Sequence, residues 1–87
     1  MNRLYTLLVD IKYHSHAVER MLQRKISTTD VEMILFEPDG TIKQSQDKFI
    51  YYKKLKGRRD NMMDAVAITK NHNSFEVLTV MINFEVV

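Results

Sequence analysis

Three histidines, at positions 14, 16 and 72, are the first residues of the chain that suggest chemistry. Imidazole titrates near neutral pH, which makes histidine the natural acid–base side chain. His16, Arg20 and Arg24 recur at i, i+4 and i+8. On a helix that spacing draws one polar stripe. A second set of cations, Lys53, Lys54, Lys56, Arg58 and Arg59, follows Lys48 in a short stretch. Guanidinium and ammonium groups hold phosphate, arginine often bidentately. On a chain of net charge +2, a local basic run can attract a polyanion, and it serves equally well as a solvated strand end and loop.

Other chemistries are disfavoured. The chain has no Cys, so neither a disulfide nor a Cys-based zinc site is available. His14 and His16 form a His-x-His pair, but zinc wants three or four ligands of fixed geometry. If Ser15 caps a helix, the two imidazoles point apart, and no metal is expected. No P-loop, dinucleotide fingerprint or nucleophile elbow occurs, so no cofactor is expected either.

The elements that must position these groups are legible from periodicity. Leu7, Val9, Ile11 and Tyr13 alternate with Leu8, Asp10, Lys12 and His14, the period of a strand. Ser15 stands where a helix N-cap is expected. Ala17, Val18, Met21 and Leu22 then give a buried stripe. Ser27 and Asp30 have the spacing of a capping box for a second helix, with Val31, Ile34 and Leu35 on its apolar face. Pro38 stops that helix by Glu37. After Asp39-Gly40 the period becomes two, and four strands are predicted, at about 41–46, 48–56, 63–71 and 74–84. Their short connections imply antiparallel neighbours. The second of these strands turns Phe49, Tyr51, Lys53 and Leu55 to one face. The last turns Phe75, Val77, Thr79 and Met81 to one face, and Leu78, Val80 and Ile82 to the other. The order β-α-α-β-β-β-β predicts an α+β fold: an N-terminal strand, two short helices, then a four-stranded antiparallel meander.

The run His16-Ala17-Val18-Glu19-Arg20-Met21-Leu22-Gln23-Arg24-Lys25-Ile26-Ser27, followed by Asp30-Val31, resembles the opening signature of the domain-of-unknown-function 4258 family of small bacterial proteins. The resemblance covers about Tyr13 to Met81, including the Thr-containing strand Val77-Leu78-Thr79-Val80. Lys25 stands where the family pattern has Gly. That family is similar in element order to the RelE, barnase and EndoU-like ribonuclease toxins. The resemblance implies a RelE-like architecture and a metal-independent RNA-cleaving toxin of a toxin–antitoxin system. Such cleavage needs a base for the ribose 2′-OH, cations for the phosphate and an acid for the leaving oxygen.

On that resemblance His16 is the acid or base and Arg20 a phosphate ligand. Lys53 reaches the same phosphate, and Thr79 orients the phosphate or His16. Arg24, Lys54, Lys56, Arg58 and Arg59 bind RNA. Glu19 and His14 compete with His16 as general base. Tyr51 and Tyr52 can stack on bases, although a strand Tyr is more often core with a polar tip. A solvated helix flank, a solvated strand edge and a good strand former are the bland readings of His16 with Arg20, of Lys53 and of Thr79.

Residues 1–87 are expected to form one domain, with a thin core that buries a little over roughly 60% of the unfolded surface. Asp10 and Lys12 interrupt the N-terminal apolar run too early for a signal peptide. No segment approaches the roughly 20 apolar residues of a membrane helix. A cytoplasmic location and no membrane partner are therefore expected. RNA and a cognate antitoxin are the expected partners. The alternatives are a non-catalytic nucleic-acid or protein-binding module, and an accessory protein whose long apolar final strand is an edge that pairs with a partner or forms a homodimer.

Overall fold

The computed structural model of the chain describes residues 10–55, 63–71 and 74–85. Its elements run β1 (Asp10–Tyr13), α1 (Ser15–Arg24), α2 (Thr28–Phe36), β2 (Gly40–Lys43), β3 (Lys48–Lys53), β4 (Met63–Asn71) and β5 (Ser74–Phe84). The α+β order expected from the sequence is therefore present. The part of the first strand expected before Asp10, the cations Lys56, Arg58 and Arg59, and His72 lie outside the described residues.

The two helices start and stop for different reasons. The cap of α1 is His14, not Ser15; His14 is extended and makes no side-chain cap bond, and Ser15 is already helical. The chain is committed at that point because the His14 N–H donates to the Val77 carbonyl at 3.0 Å, while the His14 carbonyl accepts from Val18 N–H. At the other end Lys25 takes the left-handed conformation (φ 56°), the one a glycine adopts without steric cost. Ile26 N–H then closes back on the Met21 carbonyl at 2.9 Å, and both side chains are buried. This is a Schellman-type ending, built with lysine where such endings usually have glycine. In α2, Ser27 Oγ accepts from Asp30 N–H at 3.1 Å and Asp30 Oδ2 accepts from Ser27 N–H at 3.0 Å. The expected capping box is present, with Asp in the role of Glu.

The five strands form one mixed sheet in the order β1-β5-β4-β3-β2. β2 to β5 are the expected antiparallel meander. β1 returns to lie parallel to β5, from Asp10↔Ser74 to Tyr13↔Val77. The wholly antiparallel sheet read from the short connections is thus corrected, because the helices carry the chain over the sheet to its far side before the meander begins. The final strand, expected as an edge, is one over only part of its length. β1 covers its first half, and beyond Val77 the Arg24 guanidinium donates to the Val80 carbonyl at 3.3 Å. The sheet's edges are β1 and β2.

The core lies between the helices and one sheet face. Ala17, Met21, Val31, Ile34 and Leu35 meet Tyr51, Val66, Ile68, Phe75, Val77 and Val80. The Tyr51 and Phe75 rings meet edge to face, with centroids 6.0 Å apart.

The alternation expected along β5 fails at one residue. Ile68 pairs with Val77, but Ala67 pairs with Thr79, so Leu78 is extra. This β-bulge flips the parity of everything after it. Val80 and Ile82 join Phe75 and Val77 on the helix side, and Thr79 and Met81 turn to the other face. A second shift between Met63 and Ala65 falls opposite Asn83, which sits at φ 56°. Asn tolerates the left-handed region better than most residues.

Candidate functional site

α1 is amphipathic, and its geometry separates the predicted cations. Ala17 and Met21 face the core. His16 is exposed, and Arg20, one turn on, is partly exposed. Arg20 Nη1 donates to Gln23 Oε1 at 3.0 Å, which leaves most of its five N–H donors for another ligand. Arg24 is partly buried and spends one donor on the Val80 carbonyl. It acts first as a cap for an outer carbonyl of β5.

Lys53 is committed elsewhere. Its Nζ donates to the Glu37 carbonyl at 2.7 Å and lies 3.7 Å from Asp39 Oδ1. Glu37 ends α2, where a cation both satisfies a last-turn carbonyl and complements the helix dipole. Asp39 also accepts the Lys54 N–H at 2.9 Å. Lys53 thus ties the α2–β2 turn to β3, and Lys54 contributes its backbone while its side chain stays exposed.

The expected convergence of His16, Arg20, Lys53 and Thr79 is corrected by register. Lys53 shares the helix-covered face with Tyr51 and with Asp64, its cross-strand partner. Thr79 shares the opposite, open face with Ala67 and Ile50. The bulge at Leu78 is the reason, since without it Thr79 would follow Val77 on the covered side.

The open face carries an arrangement that sequence spacing did not suggest. Parallel pairing sets Lys12 beside Glu76, and His14 Nε2 lies 3.1 Å from Glu76 Oε1. Thr69 pairs with Glu76 on β4, and Thr79 follows on the same face of β5. An imidazole, a carboxylate, an ammonium group and two hydroxyl residues thus share one patch. The patch borders the start of α1, where His16 is two residues from His14. His14 is one of the competing bases read from the sequence. Glu76 was missed: 62 positions separate the pair, and only the β1–β5 pairing joins them. Further along the same face the chemistry is apolar. Ile50 and Ala65 are buried, and Tyr52 stacks on Phe84 at 5.7 Å. Gly40 lies under the Tyr52 phenol, which a Cβ at this position would push aside.

An apolar groove of about 330 Å³ lies on the other flank of α1, lined by Tyr13, Val18, Met21, Leu22 and Ile26. None of the predicted phosphate ligands lines it. Among the described residues no group of three His, Asp or Glu is disposed to hold a metal ion, and no helix is long and apolar enough to cross a membrane.

No curated protein and no solved structure matches the chain. The family model Domain of unknown function (DUF4258) matches residues 13–82, from the end of β1 through both helices and β2 to β4 into β5, and the chain belongs to that family.

Proposed function

We propose that this chain is a metal-independent RNA-cleaving domain of the toxin type, RelE-like in architecture and held in check by a cognate antitoxin. The observation that carries the reading is the flank of α1: an exposed imidazole at His16 with a largely uncommitted guanidinium at Arg20 one turn on. Two short helices over an antiparallel meander, the arrangement of the ribonuclease toxins, support it as an analogy of fold. In this reading a base takes the proton of a ribose 2′-OH. The 2′-oxygen bonds to phosphorus, the bond from phosphorus to the 5′-oxygen breaks, and an acid returns a proton to that leaving oxygen. His16 performs one of the two transfers, and Arg20 holds the non-bridging oxygens as negative charge builds on them. Lys53 drops out of the reacting centre, since its ammonium is engaged in the α2–β2 turn and it lies on the face opposite Thr79. Arg24, with Lys54 and the cations Lys56, Arg58 and Arg59, supplies contacts to the RNA backbone.

The test is cleavage of a synthetic RNA by the purified protein in the presence of a chelator. His16→Ala is expected to lower kcat by about 100-fold or more, and Arg20→Ala to lower kcat/KM strongly. The same substitutions should relieve any growth arrest that follows expression without a partner. Intact RNA and normal growth at high expression would sink the reading. A second reading, a non-catalytic nucleic-acid or protein-binding module, is favoured by the engagement of Lys53 in the α2–β2 turn. It predicts salt-dependent RNA binding that weakens on replacing the basic residues and ignores His16→Ala.

A further inference from the structure

We infer that His14, oriented by Glu76, is the second proton-transfer group of the same reaction, and that RNA lies across the open end of the sheet where β1 passes into α1. The inference rests on the ribonuclease reading and names the half of the chemistry that His16 leaves unassigned. In-line cleavage needs two proton transfers, on opposite sides of phosphorus. One imidazole cannot hold both positions at once.

His14 is suited to the second position by three observations. Its backbone is pinned, because its N–H donates to the Val77 carbonyl at 3.0 Å and its carbonyl opens α1. Its ring is pinned by Glu76 Oε1 at 3.1 Å from Nε2. Its side chain remains about half exposed, as does that of Glu76, so a substrate can reach it. The tautomer follows from the partner. An ionised carboxylate can only accept, so Nε2 carries the hydrogen. In the neutral ring Nδ1 then holds the lone pair and can take a proton. In the charged ring Nδ1–H can give one up, while Glu76 balances the positive charge.

Among the described residues the charged neighbours on this face are Lys12, beside Glu76 in the β1–β5 register, Asp10, whose Oδ2 is 4.0 Å from Lys12 Nζ, and Lys48, which pairs with Thr69 across the β3–β4 register. Lys12 is well exposed and available to a phosphate entering there. Thr69 and Thr79 flank Glu76 and offer hydroxyls to the same anion. Glu76 is a positioning residue in this scheme, because it acts through His14. The two imidazoles exchange protons with the substrate in balance: the base is protonated by the 2′-OH as the acid is deprotonated by the 5′-oxygen.

The experiment compares wild type, His14→Ala and Glu76→Gln on one synthetic RNA across the neutral pH range, with circular dichroism to confirm folding. The wild type is expected to show a bell-shaped profile of kcat. His14→Ala is expected to lose about 100-fold or more in kcat and one limb of the bell, with partial recovery on adding free imidazole. Glu76→Gln is expected to lose about 10-fold in kcat at little change in KM. If His14→Ala fails to fold, the loss of kcat at unchanged KM in Glu76→Gln decides. A His14→Ala enzyme with wild-type kcat and both limbs intact, or in its place a Glu76→Gln enzyme with wild-type kcat, overturns this inference and leaves the ribonuclease reading standing. A wild type that cleaves no RNA overturns both.

Discussion

On the helix-covered face of the sheet, Val66, Ile68, Val77 and Val80 are each at most 1% exposed, and they pack under α1 and α2. On the opposite face, at the level where β1 joins, His14 and Glu76 are about half exposed and hold each other by a polar contact. One face removes apolar area from water, at about 25 cal/mol for each Å². The other leaves ionisable groups within reach of solvent, where a pair of this kind contributes little to folding. The contrast teaches that residues of the second kind are not explained by stability, so their arrangement is the place to look for chemistry.

The sharpest way to break the comparison is to exchange the expected losses. Ile68→Ala, on the covered face, should cost about 2–5 kcal/mol in urea-induced unfolding, because it deletes a branched side chain from a fully packed site. A loss under about 1 kcal/mol would mean that the core does not rest on this face.

A smaller effect, gated by pH, comes from Tyr13, whose side chain lies on the covered side. Burial first, and the Glu32 carboxylate second, raise its phenol above the ordinary value of 10.0. The unfolded chain therefore releases this proton before the folded chain does. The stabilisation is fully present below the ordinary value and is lost as pH rises through the folded one. Comparing urea midpoints at about pH 9 and about pH 11 should show an alkaline loss that Tyr13→Phe reduces. An unchanged alkaline loss in Tyr13→Phe would assign it to other groups.

The smallest effect on folding is expected at Glu76. Glu76→Ala should change stability by at most about 1 kcal/mol, since both partners are half exposed and screened by salt. A loss as large as that of Ile68→Ala would erase the distinction between the faces and make His14–Glu76 a structural pair.

The local elements were readable because their signals are local. Ser27 and Asp30 announce a capping box three residues apart, Pro38 stops α2, and period-two patterning marks the spans of β4 and β5. The basic cluster was readable as composition, but the role of Lys53 was not. Its partners are a carbonyl at Glu37 and the carboxylate of Asp39, and nothing in the spacing says that an ammonium group will turn back to them. Thr79 was misplaced for a different reason. Strict alternation from Phe75 puts it beside Val77, and the bulge at Leu78 comes from how β5 pairs with β4, not from a turn residue in the sequence.

By itself, then, the sequence determined the α+β order, both helix boundaries to within a residue or so, the antiparallel meander and the exposed flank carrying His16 and Arg20. Each of these follows from hydrogen bonds and burial within a few residues along the chain. Only the tertiary structure decided that β1 runs parallel to β5, that one inserted residue carries Thr79 to the open face, and that His14 meets Glu76. The first and last of these depend on contacts between segments about 60 positions apart, and the second on the register of β5 against its hairpin neighbour β4, all fixed by which side chains must pack under the two helices.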